Sequence, residues 1–426
     1  MARDAVPAGA VLADGVPAVR AGRRGAARGG SLLPRRWWSR LDDGDREVLG
    51  WWGLTRLAFL TVLLTAPAVF AGLTDKPGST PGLSTSLIRW DAVHFVAIAG
   101  GGYHPGVPAA QQPTGVPLEA FFPGFPALLA AAHLVGIPYA LAGVVWGALF
   151  GALAVLALGR LVRLETGADP ADTGLAGRAA LLWSIAPVAV FVAVPYSEAP
   201  FLGLAFASWL AARRRAWLPA VLLGAGASCF RITGVFLALA LGVQYLLTQH
   251  GDRGSARTRR DRRLLPLFAV PVLPVVVFFG YLWRASGDPL LWFHVQASQW
   301  YRTATPPWTD LRHTVAAAVE HRYAPDYAWM FGAELVAFAV GIALVVALVR
   351  RRRVAEAVYV GAQLVSYVTS YWLMSVPRAA LTWWPLWTMA AVATARRPWL
   401  LRGWVMVSGA LAVVWTAAYL RSQWAG

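Results

Sequence analysis

The chain has 426 residues, of which 58% are hydrophobic and only 14% are charged, and its formal net charge is +17. A soluble domain carries about 25% charged residues, so this composition indicates a protein whose main solvent is lipid. The positive charge lies in short arginine clusters between apolar runs, which is the pattern that orients membrane helices and not that of a nucleic-acid-binding surface.

Residues 1–50 are predicted to form a disordered basic tail, and residues 51–426 a single transmembrane domain. A spanning helix needs about 20 apolar residues. The candidate spans are 51–72, 139–159, 179–195, 199–212, 216–230, 232–247, 264–284, 328–349, 354–374, 381–395 and 399–420. We therefore expect an all-α polytopic membrane protein with about eleven transmembrane helices.

The arginine clusters, such as those at 213–215 and 350–353, predict which ends of these helices face the cytoplasm. The N-terminus is then cytoplasmic, and two long loops, 73–120 and 285–327, face outward. Residues 121–137 are predicted to form a juxtamembrane or re-entrant helix, because a full crossing would place the arginine clusters outside.

The segment around Arg231 is shorter than two full membrane spans. Residues 216–247 must cross twice with fewer residues than the roughly 40 that two full spans need. We expect Arg231 to lie below the outer surface in a water-filled or ligand-filled cavity, since exposure to hydrocarbon would be costly. The alternative is an arginine that snorkels from a loosely placed helix end.

The first long loop contains the segment RWDAVHF, in which Asp91 and His94 share one face at helical spacing. A carboxylate that orients an imidazole is one interpretation, and a helix cap or an ion-pair partner is the other.

Other candidate residues occur in segments predicted to lie on the same side of the membrane. Trp300 could stack on a sugar ring, although anchoring at the membrane interface is an equally good interpretation. The string Asp43-Gly44-Asp45 is predicted to be a solvated helix start, and no metal-ligand spacing is evident. The full set of candidate site residues is Asp91, His94, Glu119, Tyr196, Glu198, Arg231, Trp300 and Arg378.

Taken in order, the segments RWDAVHF, GGY, AFFPGFP, YSEAPF, FRITG and PRAALTWWP resemble the PIG-V family of GT-C glycosyltransferases, which includes the enzyme that adds the second mannose of GPI anchors. The resemblance covers roughly residues 51–390. The chain departs from the family's pattern at Glu119, which is displaced by about three residues from the usual acidic position, and at Ala379, where an aromatic residue is common.

The resemblance implies a GT-C-like helix bundle, a polyprenyl-phosphate mannose donor, an outward-facing active site and no nucleotide sugar. We expect no cofactor. A sugar phosphodiester already has a good leaving group, so one carboxylate base suffices, and Asp91 fits that role. Arg231 or Arg378 could hold the lipid phosphate. Attack from the opposite face would invert the anomeric centre.

The expected function is therefore mannosyl transfer to a lipid, glycan or protein acceptor at the outer face of a bacterial plasma membrane. Membrane lipid is an expected partner, and nucleic acid is not. The alternative from a different class is a transporter or lipid flippase. It predicts inverted repeats with paired broken helices, for which the sequence gives no sign.

Overall fold

The computed structural model of the protein describes residues 41–69, 83–167, 174–251, 262–320, 323 and 325–423, and these residues contain helices and no β-strand. The α-helices are α1 (Asp43–Val69), α2 (Leu83–Leu87), α3 (Asp91–Gly101), α4 (Gly124–His133), α5 (Tyr139–Thr166), α6 (Gly174–Ser184), α7 (Glu198–Arg213), α8 (Trp217–Ser228), α9 (Gly234–Gly251), α10 (Leu273–Ser286), α11 (Leu291–Trp300), α12 (Pro307–Val319), α13 (Pro325–Arg350), α14 (Val354–Val368), α15 (Val376–Ala380), α16 (Trp384–Arg396) and α17 (Pro398–Leu420). Short 3-10 helices occupy Ala109–Gln111, Leu118–Ala120, Ala189–Val192 and Arg262–Val272. The predicted all-α class is confirmed.

Five segments are long and apolar enough to cross a membrane by length and composition: Asp43–Pro67, Tyr139–Thr166, Leu264–Ser286, Tyr327–Arg350 and Pro398–Leu420. Further apolar helices are shorter than 18 residues. Large apolar side chains point away from the protein, which is favourable in hydrocarbon and not in water; Val277 and Met406, for example, are 69% and 76% exposed. The prediction of a polytopic membrane protein is confirmed, whereas the number of about eleven crossings stays a prediction.

The segment 179–195 was predicted as one continuous span, and this prediction is wrong. Helix α6 ends at Ser184, because Pro187 lacks the N–H that would continue the helix. The chain resumes as the 3-10 helix Ala189–Val192. The buried guanidinium of Arg56 donates hydrogen bonds to the carbonyls of Ser184, at 2.6 Å, and Ala189, at 3.0 Å, so the break leaves these carbonyls satisfied.

Helix α5 contacts its neighbours closely because glycines face them. A Cβ at Gly143 would clash with Pro195, and one at Gly151 would clash with the indole of Trp52. The turn that begins at Pro195 is therefore seated directly against the backbone of α5. This contact fixes the position along α5 at which helix α7 starts.

Four side chains near the C-terminal end of α5 form what we call the arginine-end network: Glu165, Arg213, Arg353 and Glu356. Arg213 is 3.0 Å from Glu165 and 3.4 Å from Glu356, and Arg353 is 2.7 Å and 2.8 Å from the same two carboxylates. Each arginine thus contacts both acids.

A second ion-pair cluster lies at the same end of the helices, where α1 begins at Asp43. This start lies within residues 1–50, which were predicted to form a disordered tail. Residues 1–40 of that range lie outside the described residues. Asp43 is exposed, as expected for a solvated helix start. The prediction is wrong for Asp45, which is 2% exposed and pairs with Arg160 at 2.5 Å and Arg163 at 2.8 Å. These arginines neutralise a charge that burial alone would make costly.

Candidate active site

A cavity of about 600 Å³ opens at the other end of the helices. Segments far apart in sequence meet around it: the start of α3, the turn before α7, the turn before α9, the end of α11 and the turn at α15. Five of the candidate residues line the cavity, namely Asp91, Tyr196, Arg231, Trp300 and Arg378. His94, Glu119 and Glu198 are not among its lining residues.

Asp91 is the first residue of α3, and its position is set from both sides. Its backbone N–H donates to the Tyr196 hydroxyl at 3.1 Å, and that buried hydroxyl donates to the Arg89 carbonyl at 3.4 Å. Asp91 Oδ2 accepts a hydrogen bond from Arg378 Nη2 at 3.3 Å, while the side chain stays 28% exposed. The carboxylate is oriented by its neighbours and still accessible from the cavity.

Glu198 lies behind the cavity wall and is 3% exposed. Its Oε1 accepts hydrogen bonds from Arg231 Nη1 at 2.5 Å, from Arg378 Nε at 2.9 Å and from Arg378 Nη2. We call Asp91, Glu198, Arg231 and Arg378 the cavity network. A single buried carboxylate therefore anchors two arginines that reach the cavity.

The Arg378 guanidinium is held from several directions. It lies over the ring of Phe191, with 4.6 Å to the centroid, and over that of Tyr196, at 5.4 Å. Burial acts to lower the pKa of Arg378, but Glu198 and Asp91 outweigh this effect and raise the pKa above its usual value. Arg378 is therefore a permanently charged residue whose donors are engaged by the protein.

Glu334 on α13 positions the backbone that carries Arg378. Its two carboxylate oxygens accept the backbone N–H groups of Ser375 and Val376, each at 2.7 Å. Ser375 is in the left-handed region, with φ of 69°, so the turn into α15 is sharp. Glu334 is not among the residues predicted from the sequence, because it is an isolated acid within an apolar span.

Arg302 is the second residue of the site that is not among those predicted from the sequence. It lines the cavity, and its Nη2 donates to the Met374 carbonyl at 3.4 Å. Burial lowers the pKa of Arg302, and nearby Arg231 and Arg378 act in the same direction. The available signal was its position two residues after Trp300 in the second long loop.

His94 does not pair with Asp91 through a hydrogen bond. Its Nδ1 is 2.9 Å from the Thr114 hydroxyl, which itself donates to the Val116 carbonyl, so Nδ1 is the donor to Thr114. The imidazole stacks on Phe121, with 4.8 Å between ring centroids. Burial lowers the pKa of His94, with Asp91 acting in the opposite direction. His94 thus supports Phe121, which faces the cavity.

Glu119 is 1% exposed, and its two oxygens accept from Gln112 Nε2 at 3.2 Å and 3.0 Å. The Gln112 Oε1 in turn accepts the backbone N–H of Leu118 at 2.9 Å. These contacts close the loop that leads into the segment AFFPGFP. Glu119 therefore holds that loop together without lining the cavity itself, whereas the next residue, Ala120, does line it.

The turn that carries Arg231 contacts the start of α4 through backbone atoms. The Gly124 N–H donates to the Cys229 carbonyl at 2.8 Å. A Cβ at Gly124 would lie 2.6 Å from that carbonyl oxygen, so only glycine fits here. Arg231 is 23% exposed and follows two residues later.

One side of the cavity is apolar. Phe122, Ile232 and Trp292 line it, and they also pack against a buried cluster on α10 that includes Val275 and Phe278. The cavity therefore combines charged residues with an apolar wall that continues between helices. This arrangement suits an amphiphile with an anionic head.

No group of three or more His, Cys, Asp or Glu side chains that could hold a metal ion occurs in the described part of the chain. The fold is similar to that in the crystal structure of ArnT from Cupriavidus metallidurans bound to undecaprenyl phosphate, with 16% sequence identity and a TM-score of 0.49. The similarity covers 87% of this chain and 64% of the other, so this chain spans less than two thirds of ArnT. No curated protein matches the chain. Residues 79–285, which include Asp91, Tyr196 and Arg231, match the family model described as Mannosyltransferase (PIG-V), and this match confirms the resemblance carried by the motifs.

Proposed function

We propose that the protein is a glycosyltransferase that moves mannose from a polyprenyl-phosphate-linked donor to an acceptor hydroxyl, with inversion at the anomeric carbon. The observation that carries this proposal is the position of Asp91, an accessible carboxylate at the wall of a cavity that also holds arginines and an apolar side. The match to a mannosyltransferase family model over residues 79–285 supports glycosyl transfer as the activity.

In the proposed step, Asp91 takes the proton of the acceptor hydroxyl while that oxygen attacks the anomeric carbon. The bond between this carbon and the phosphate oxygen breaks, and polyprenyl phosphate leaves with the bonding electrons. Arginines at the cavity stabilise the charge that develops on the phosphate. Because phosphate is a good leaving group, the reaction needs no second carboxylate as a general acid.

The contacts of Asp91 support this role. Arg378 donates to Oδ2 of Asp91, and Glu198 accepts hydrogen bonds from the same guanidinium. Asp91 is therefore oriented by an arginine without being enclosed in a fully buried ion pair. An accessible, fixed carboxylate is the geometry that general-base catalysis requires.

We place the cavity on the extracytoplasmic side of a bacterial plasma membrane, since the arginine clusters lie at the opposite end of the helices. The acceptor in this proposal is a lipid, a glycan or a protein that presents a hydroxyl at that face.

The test is a transfer assay with purified protein, labelled polyprenyl-phosphate mannose and a membrane extract as the acceptor source. Wild-type protein should form a labelled product. Asp91→Asn should lower the rate by about 10²–10⁴-fold, because it keeps the size of the side chain and removes the base. Asp288→Asn, which removes an acid of the second long loop that does not line the cavity, is the matched control and should transfer normally.

Two outcomes would contradict the proposal in different ways. If Glu119→Gln is inactive while Asp91→Asn turns over normally, the base is misassigned. If the wild-type protein moves the labelled donor across a bilayer without consuming it, the protein is a transporter or flippase and not a transferase.

A further inference from the structure

Three of the four charged side chains that line the cavity are arginines: Arg231, Arg302 and Arg378, against Asp91. They differ in what they contact. Arg231 and Arg378 both bind Glu198, and Arg378 also binds Asp91. Among the described residues Arg302 forms no ion pair with a carboxylate, and its guanidinium donates a hydrogen bond to the Met374 carbonyl at 3.4 Å.

Glu334 is the acid to consider as a partner for Arg302, since it accepts the N–H of Ser375 directly after Met374, whose carbonyl Arg302 contacts. Both oxygens of Glu334, however, accept backbone N–H groups at 2.7 Å. Arg231 and Arg378 line the same cavity as Arg302, so three like charges face one space and repel one another across it. An anion that enters the cavity would relieve this repulsion and supply the partner that Arg302 lacks.

We infer that Arg302, together with the cavity-facing part of Arg231, is the ligand of the donor's phosphate, whereas Arg378 is a positioning residue that holds Asp91. This inference rests on the proposed donor class and specifies which residues recognise it. A guanidinium presents paired donors that match two phosphate oxygens, and Arg302 still has donors to offer.

The apolar wall of the cavity supports the same assignment. Ile232 follows Arg231 directly and lines the cavity with Phe122 and Trp292. A polyprenyl chain placed along this wall would bring its phosphate next to Arg231. The sugar on the phosphate then extends toward Asp91, which the reaction requires.

The test separates phosphate recognition from chain recognition by using two probes. Binding of a polyprenyl monophosphate and of the uncharged polyprenol of the same length is measured for wild-type protein, Arg302→Gln, Arg302→Lys and Arg312→Gln. Arg312 is the matched control, because it is an exposed arginine of the same loop that does not line the cavity.

Arg302→Gln should bind the polyprenyl monophosphate about tenfold to a hundredfold more weakly, because it loses hydrogen bonds between charged groups. Its binding of polyprenol should be unchanged. Arg302→Lys should be intermediate, since lysine keeps the charge and loses the planar fork. Arg312→Gln should match the wild type with both probes.

Equal phosphate binding by Arg302→Gln and wild type would overturn the inference while leaving the donor class intact. An equal loss of both probes in Arg302→Gln would show that Arg302 only supports the fold, and would also overturn it. Failure of the wild type to bind either probe would refute the proposed donor class itself. In turnover, Arg302→Gln should raise the KM for the donor, whereas Arg378→Gln should lower kcat and retain donor binding.

Discussion

The two ends of the helix bundle use the same residue types in opposite ways. In the arginine-end network, two arginines and two glutamates contact one another, so each arginine is held by both Glu165 and Glu356. In the cavity network, one buried glutamate, Glu198, contacts both Arg231 and Arg378, and Asp91 adds a longer contact to Arg378. The first arrangement is redundant. In the second, no other acid of the described residues contacts both arginines, and Asp91 stays accessible.

This difference shows how a membrane protein can separate charges that stabilise its fold from charges that serve its site. A redundant network tolerates the loss of one member, because the remaining acid still compensates the buried cations. Where one acid contacts both arginines, the stabilising free energy of the network depends mainly on that acid. The cavity is therefore the place where one substitution should alter both stability and transfer.

The largest expected effect is that of Glu198→Gln. Glu198→Gln removes the carboxylate shared by Arg231 and Arg378, while Arg378 keeps its longer contact to Asp91 and Arg231 stays partly exposed. Breaking a buried ion pair costs about 3–5 kcal/mol of unfolding free energy. Displacement of Arg378 would also misplace Asp91, and a shift of about 1 Å can lower a rate by about 10²-fold. Thermal unfolding in detergent and the labelled-donor transfer assay measure the two effects.

Glu356→Gln is the matched control at the arginine end, since it also removes a carboxylate that contacts two arginines. Glu165 remains in contact with both, so the loss should be closer to the about 1.5–3 kcal/mol of hydrogen bonds to a charged group. Transfer per folded molecule should not change. If the two variants depress transfer equally, the contrast between the networks is not functional.

Asp45→Asn should have a smaller effect than Glu198→Gln, and this effect should be confined to stability. Asp45 pairs with Arg160 and Arg163, but Arg160 is partly exposed and Arg163 also contacts Asp42 at 3.2 Å, so both retain solvent or a second acid. We expect a loss of about 1.5–3 kcal/mol in the unfolding free energy and an unchanged transfer rate. A large fall in the rate would mean that this end of the bundle is coupled to the cavity.

The smallest expected effect is a pH dependence that arises from His94. Burial lowers the pKa of His94 in the folded protein, while an unfolded histidine titrates near its usual value of about 6.5. The unfolded state therefore binds more protons, so this contribution to stability is fully present above about pH 6.5 and is lost as the pH falls through the lower folded pKa. Thermal unfolding of wild type and His94→Gln at several pH values between 5 and 8 should show a shallower slope for the variant.

The sequence predicted which end of the helix bundle carries the site. It did not predict which side chains at that end reach the cavity. Asp91, Tyr196, Arg231 and Arg378 occur in separate short segments at the same predicted face, and all four line one cavity. Their catalytic and binding roles stay predictions. Glu198 belongs to the same segment as Tyr196, yet it lies behind the wall, because whether a side chain reaches the cavity depends on how α7 begins.

Arg302 and Glu334 could not be assigned from the pattern alone. Arg302 is one of several polar residues in a long loop, and what distinguishes it is the absence of an acid partner among the described residues. Glu334 gives no signal because its partners are backbone amides of a distant turn. The helix break after Ser184 was not predicted, because the segment is apolar throughout. Its composition does not show that a distant side chain, Arg56, binds the carbonyls that the break leaves without helical partners.

The contact between Gly124 and the Cys229 carbonyl constrains the evolution of the protein by steric fit alone, because Gly124 takes no part in the proposed reaction. A single added methyl group at Gly124 would push on the backbone two residues before Arg231, while the charges, the polar groups and the cavity wall would all keep their identities. The spacing between Arg231 and the rest of the site is thus set by the smallest side chain available. Any relative that enlarges this residue must also reshape the turn that carries its arginine, so the two positions should change together or not at all.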